Sequence, residues 1–188
     1  PPKGEERFIR TEGGFGYANE LVAFIKEHDD FSIGVAGYPE VHLEALNMEQ
    51  DLMNLKKKVD AGADFIITQM FFNNDDFYRF RDNAIAVGVR APIIPAIFPI
   101  FNYRQIARIA ALCGAKIPPR LHDKLSRVSE KNEDVEKYGV EHAIRQSEDL
   151  LGNGVVGLHF CNMNRSGHVT KIIRALPQKS FENNPGLD

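Results

Sequence analysis

Two rhythms of apolar positions alternate along the chain. Tyr17 to Glu27 carries a helical period, with Leu21, Val22, Phe24 and Ile25 on its apolar face. A short β-type run follows from Phe31 to Ala36, closed by Gly37-Tyr38-Pro39. Met48 to Ala61 is helical again, and Leu52, Leu55 and Val59 form one stripe that should face a core. The pattern then repeats. Asp64 to Gln69 reads as a second strand, followed by a helix from Asp75 to Val87. Pro92 to Phe98 reads as a third, followed by a helix from Tyr103 to Cys113. After Pro118-Pro119 come a short helix over Leu121 to Val128, a charged turn and a longer helix from Val135 to Leu151. Val155 to Phe160 is the fourth strand, and a last helix runs from Arg165 to Leu176. Residues 1–16, rich in Gly, Pro and charge, read as a surface loop, and the polar tail after Pro177 reads as disordered.

Near-continuous apolar strands, each followed by an amphipathic helix, predict an α/β protein whose parallel sheet is covered on both faces. An open doubly wound sheet and a barrel both satisfy this. No G-x-G-x-x-G follows a strand and no G-x-x-x-x-G-K-[ST] occurs, so the usual phosphate signatures of mononucleotide folds are missing. Polar residues gather instead where strands end: Tyr38 and His42, Gln69, the segment after Phe98, and Asn164-Arg165. That end carries the active site of a (β/α)₈ TIM barrel, and a barrel is therefore favoured. A complete barrel takes about 250 residues. At 188 residues, with four βα units over residues 1–176, the chain covers about half of one. Its first residue is Pro1 rather than Met, so an upstream part is expected. A half barrel standing alone would expose two strand edges and an apolar interior, and should aggregate, dimerise or swap.

Composition narrows the function. A net charge of −3 argues against nucleic acid or an anionic membrane as partner. The sequence holds no apolar run long enough to span a bilayer, and no signal-peptide pattern opens it. Cys113 and Cys161 are far apart in sequence and form no CxxC pair, which predicts free thiols in the cytoplasm rather than a zinc site.

Several polar residues could carry chemistry. Asp51, Asn54 and Lys58 share one stripe of their helix, flanked by Lys57. A carboxylate, an amide and two cations suit a ligand bearing sugar hydroxyls and phosphate, and they equally suit a solvated helix face. Gln69 could hydrogen-bond the edge of a planar heterocycle or the backbone of a neighbouring loop. Arg165 could grip a substrate carboxylate or pair with a helix acid. His42, in a loop after a strand, suits a ligand role, whereas His159, inside the fourth strand, should be packed and hydrogen-bonded. Phe71, Phe72 and Phe98 read first as core aromatics.

Taken together, YANELV (17–22), VAGYPEVH (35–42), DLMNLKKKVDAGADFIITQMFF (51–72), PIIPAIFPI (92–100) and GLHFCNMNR (157–165) resemble methylenetetrahydrofolate reductases. The resemblance runs from Gly16 to Leu176 without large gaps. It implies a TIM barrel, with residues 1–176 as its C-terminal half, that binds FAD, takes reducing equivalents from NADH or NADPH, and converts 5,10-methylenetetrahydrofolate to 5-methyltetrahydrofolate in one-carbon metabolism. It further implies a homo-oligomer in the complete enzyme. By motif, Tyr17, Ala18, Tyr38 and His42 would contact FAD, and Asp51, Asn54, Lys57 and Lys58 would hold its ribose, ribityl and pyrophosphate parts. Gln69 would hydrogen-bond the pterin, while Gln105 and Arg165 would bind folate, the arginine at its glutamate tail. The family's general acid, a glutamate on the first strand, has no counterpart here, so no catalytic residue is expected in this chain. The Arg-Gly-Asp strand end that tunes the flavin would lie just before Pro1. Cys161, Asn162 and Met163 stand where the family usually has tyrosine, threonine and leucine; Leu43 replaces a proline and Ala96 a glycine. Two other readings fit the pattern: a non-catalytic half barrel that needs its missing half, and a different flavin barrel resembling proline dehydrogenase.

Overall fold

The computed structural model describes residues 9–177; the expected tail beyond Pro177 and the first part of the entry loop lie outside them. Among the described residues seven helices and five short strands follow in the order α1 (Ala18–His28), β1 (Gly34–Gly37), α2 (Met48–Asp60), β2 (Phe65–Thr68), α3 (Asn74–Ala86), β3 (Ile93–Ile94), β4 (Ala96–Ile97), α4 (Tyr103–Cys113), α5 (Pro119–Arg127), α6 (Asn132–Gly152), β5 (His159–Phe160) and α7 (Ser166–Ala175). The helices begin where local chemistry allows. Asn47, Asn73 and Asn102 cap α2, α3 and α4 by accepting a backbone N–H from the first turn, and Pro119 opens α5 at a position that needs no donor. Gly114 closes α4 at φ 71°, in the left-handed region that glycine enters without a Cβ clash.

All strand pairs are parallel. β1 pairs with β2 and β2 with β3, while β4 pairs with β5. The expected third strand, 92–98, is divided at Pro95 into β3 and β4. Proline has no N–H for the ladder. The chain bends there, and one half of the run pairs with β2 and the other with β5. The amide after the bend is kept satisfied by a side chain: Ala96 N–H donates to Thr68 Oγ1 at 2.9 Å in a buried position. Apart from that division the strands follow one another in chain order, without the reversal that marks a doubly wound sheet. Every strand therefore points its C-terminal end the same way.

The core lies in three clusters. One, on α2, β1, β2 and α3, includes Val35, Leu52, Leu55, Ile66 and Phe80. A second, on α3, α6 and α7, includes Phe71, Phe77, Ile97 and Leu150. The third gathers Met70, Phe98, Ile100, Phe101, Ile106, Leu121 and Val135 around α4 and α5. The expected apolar stripe of α2 is buried at Leu52 and Leu55, and Phe71, Phe72 and Phe98 are core. On α1 only Val22 is buried; Leu21 and Phe24 are exposed, because that helix packs one narrow face onto α2. His159 departs from its expectation: it is exposed in β5, a strand that pairs with β4 alone. Among the described residues no helix is long and apolar enough to cross a membrane.

Candidate functional site

The site is built where the strands end. The turn after β1 brings Tyr38 and His42 together, their rings 4.5 Å apart in an edge-on arrangement. Between them Val41 sits at φ 76°, a left-handed conformation that a β-branched residue adopts only when its surroundings hold it there. Part of the hold is Asp51 on α2, whose carboxylate accepts the His42 backbone N–H at 3.0 Å. His42 Nδ1 in turn accepts from Glu44 N–H at 3.1 Å, leaving Nε2 as the position that can donate. Further along α2, Lys58 reaches back to the carbonyl of Ala36 in β1, and its ammonium lies 5.8 Å from the centre of the Tyr38 ring.

The polar stripe of α2 is thus divided. Asp51 is buried, at 8% exposure, and Lys58 is half-buried, whereas Asn54 and Lys57 are exposed and touch one another at 3.5 Å. A uniformly solvated helix face does not bury its aspartate. Burial pushes the Asp51 carboxyl above its usual range, although the His42 amide pulls it down. Burial also lowers the Lys58 ammonium, against the pull of Asp51. The Tyr38 phenol is raised by burial first and by the Asp51 charge second. Desolvation outweighs mutual attraction for both charges, although each has a backbone partner, the His42 amide for Asp51 and the Ala36 carbonyl for Lys58. Tyr17, 75% exposed at the start of α1, and the exposed Ala18 behind it make no side-chain contribution to this cluster.

Gln69 follows β2. Its backbone N–H extends the ladder to Gly37 at 2.7 Å, and its Oε1 accepts from Met70 N–H at 2.9 Å, a local bond that leaves the amide nitrogen as the donor end. Tyr38, Val41, Gln69 and Met70 share a narrow cleft with Cys113 and Ala115. That cleft exposes a feature absent from the sequence expectation. Rather than returning only along the outside, α4 crosses the strand ends: its first residues follow β4, and its last lie against the turn after β1. The backbone N–H of Lys116 donates to both oxygens of Glu40, at 3.0 and 3.2 Å, and Leu43 packs on Gly114.

Gln105 and Arg165 form a second group. The Gln105 amide lies 3.8 Å from Met163 Sδ, and the Arg165 guanidinium sits 4.7 Å from the centre of the Phe101 ring. Met163 and Asn164, at φ 48° and 62°, form a left-handed turn before α7. The first group therefore collects Tyr38, His42, Asp51, Lys58 and Gln69, the second Gln105 and Arg165, and α4 spans both. Sequence reasoning overlooked Glu40, Val41 and Phe101. The first two lie inside a motif already singled out, but nothing in a Glu-Val pair signals a left-handed valine. His142, beside Phe72, is pushed down to about 4 by burial and is a neutral core residue. The two cysteines are free and both pack on the α4 cluster.

Comparison with known proteins identifies the pattern. A family model described as Methylenetetrahydrofolate reductase matches residues 1–177. The chain is 39% identical over 175 residues to "Methylenetetrahydrofolate reductase (NADH) 1" of Arabidopsis thaliana, covering 87% of this chain and 30% of that protein. It is 39% identical over 150 residues to the "5,10-methylenetetrahydrofolate reductase" of Escherichia coli K12, covering 80% of this chain and 51% of that protein. The chain thus spans about a third of the plant relative and about half of the bacterial one. Among solved structures, an uncharacterized protein from Clostridium thermocellum, described as binding two copies of 5-methyl-5,6,7,8-tetrahydrofolic acid, superposes with a TM-score of 0.62. It is 16% identical, covering 93% of this chain and 64% of that one, which is a likeness of fold.

Proposed function

The chain belongs to the methylenetetrahydrofolate reductase family, and on that premise we propose that it serves the FAD-dependent reduction of 5,10-methylenetetrahydrofolate to 5-methyltetrahydrofolate by NADH or NADPH. The observation that carries the proposal is the gathering, at the turn after β1, of the buried Asp51 on the His42 backbone amide and of Lys58 beside the Tyr38 ring, with Tyr38 itself lining the cleft that holds Gln69. Such a constellation at strand C-termini suits a ligand that is part sugar-phosphate and part planar ring.

When bound, a flavin supplies hydride chemistry that no side chain can provide. This chain's residues bind and orient. Asp51 is an acceptor for sugar hydroxyls, Asn54 can both donate and accept, and Lys57 and Lys58 are cations for the pyrophosphate. Tyr38 and His42 border the same region and offer surface for the remaining parts, while Tyr17 and Ala18, exposed at the start of α1, would meet the cofactor from outside this cluster. Gln69 presents an amide that can read the pterin edge. Gln105 and Arg165 address the rest of the folate, with the arginine suited to the glutamate carboxylates. Positioning of this kind lowers a hydride-transfer barrier by fixing donor and acceptor in a reactive geometry. The proton donor is not among these residues and would come from outside residues 1–188.

The strand order supports a finer reading of the fold. Four consecutive parallel strand positions, one of them divided at Pro95, make an arc of a (β/α)₈ barrel, and residues 1–176 would be its C-terminal half. In the complete protein, Gln69→Ala tests the assignment. It should slow folate turnover much more than flavin reduction by NAD(P)H; equal losses in the two half-reactions would count against the pterin role. The 188-residue chain by itself is expected to show no NAD(P)H-driven folate reduction.

A further inference from the structure

Arg165 is exposed at the N-cap of α7, and no side-chain hydrogen bond caps that helix. The two residues before it are both left-handed without being glycine, a conformation that persists only where neighbours impose it. Asn162 closes that turn, its Oδ1 accepting the Asn164 N–H at 3.1 Å and its carbonyl the Arg165 N–H at 2.8 Å. Three further side chains stand behind the arginine. Phe101, 6% exposed in the loop after β4, lies under the guanidinium at 4.7 Å. The His168 ring, one turn into α7, stacks on the same phenyl ring at 5.2 Å with the planes 27° apart. His168 Nε2 lies 3.1 Å from a Glu136 carboxylate oxygen on α6, and the other oxygen takes Lys171 Nζ at 2.6 Å. The lysine and the histidine both lower the Glu136 carboxyl, the lysine more strongly. His168 is nearly enclosed, with its Nδ1 buried and unpartnered, so its packing rather than solvent exposure sets where the first turn of α7 lies.

We propose that Phe101, His168 and Glu136 are positioning residues for Arg165, holding its guanidinium at the strand ends to receive the glutamate carboxylates of the folate substrate. Glu136 ties α7 to α6, His168 ties it to Phe101, and Phe101 offers the guanidinium a flat negative face. The arginine loses less freedom on binding because its place is already set. The inference rests on the folate-tail reading of Arg165.

The test uses the complete protein and two substrates, one with the glutamate tail and one ending at the aminobenzoyl group. The readout is the ratio of their KM values, which a general loss of fold would not move selectively. Arg165→Ala should abolish the advantage of the tailed substrate. Phe101→Leu should cut that advantage about five- to tenfold and Phe101→Tyr should restore it. Glu136→Gln, at a side chain one-third exposed, should cut it about threefold and keeps the test informative if the Phe101 variant is poorly folded. An Arg165→Ala enzyme that keeps the full advantage would overturn the tail reading and this inference together. An Arg165→Ala enzyme that loses it, beside Phe101→Leu and Glu136→Gln enzymes that do not, would overturn the positioning role alone.

Discussion

Gly139 lies in the middle of α6, where alanine would ordinarily be the better residue by about 1 kcal/mol. The structure predicts the opposite sign. A Cβ added to Gly139 would overlap the Ile100 carbonyl oxygen, and would stand 2.7 Å from the carbonyl carbon and 2.8 Å from Ile100 Cβ. The obstacle is backbone, so no side-chain rotation relieves it. To reach an ordinary contact, α6 would have to retreat from the loop after β4. That retreat would loosen Val135, Ala143 and Leu150, all buried along the same helix. Overpacking of this kind costs about 1–3 kcal/mol or more, which exceeds the propensity gain. Because the clash is with backbone, the cost lies at the upper end, about 3 kcal/mol, and Gly139→Ala should destabilise by a net of about 2 kcal/mol, a fall in Tm of several degrees. Gly152 is the matched control: it ends the same helix, and a Cβ added there would meet nothing within 4 Å, so Gly152→Ala should be neutral or slightly stabilising. Urea titration of both variants, followed by far-UV circular dichroism, reads the difference in midpoint. A Gly139→Ala protein as stable as the parent would refute the close approach of α6 to Ile100.

Other expectations follow from single contacts. Thr68→Val keeps the shape but leaves the Ala96 amide buried without an acceptor, so it should cost about 1–3 kcal/mol while Thr68→Ser costs much less; equal urea midpoints would show that the bend at Pro95 does not need this bond. Asp51→Asn removes a desolvated charge while keeping an acceptor for His42, so the midpoint should hold or rise as flavin affinity falls about tenfold; fluorescence titration with FAD reads the second effect. The pH dependence has a definite sign at Asp64 and Glu136, whose carboxyls are held below their ordinary values by the Ile33 amide and by Lys171 respectively. Their unfolded forms bind protons more readily, so each contributes stability above about pH 4 that is lost as pH falls through the folded value. Asp64→Asn should flatten the decline of the urea midpoint below that pH, and an unchanged slope would remove Asp64 from the account.

The alternation of helices and strands was legible because both signals are periodic and local. The helix limits shifted by a few residues, as at α5 and α6, where proline and asparagine start the helix ahead of its first apolar residue. What was hidden depended on partners distant in sequence. Pro95 inside PIIPAIF looked like part of one buried strand, and only the neighbours on its two sides reveal that the run serves two ladders. Tyr103 to Cys113 has the pattern of any amphipathic helix, which fixes its buried face but not its course across the strand ends. His159 looked packed because its strand is apolar, yet strand position and not strand composition decides exposure there. At the site, the stripe of α2 was visible as a stripe, while the inward burial of Asp51 and the outward exposure of Asn54 and Lys57 were not.

That division lets the carboxylates sort themselves by the sign of their shifts. Asp64 and Glu136 are lowered, because each accepts hydrogen bonds from groups that favour the charged form; both stabilise the fold at neutral pH. Asp51 and Glu40 are raised, chiefly by burial, and Lys58 is lowered for the same reason, so at neutral pH their charged forms work against the fold. The three unfavourable groups are those beside the turn after β1, next to a valine in the left-handed region. A chain selected only for stability would relieve such a cluster with apolar or exposed residues. Under the proposed function, its retention at one end of a parallel sheet would be offset by a bound ligand that the charged groups hold. On this reasoning the loss of stability at Asp51 and the gain in ligand affinity are one property, and the Asp51→Asn enzyme should trade the second for the first.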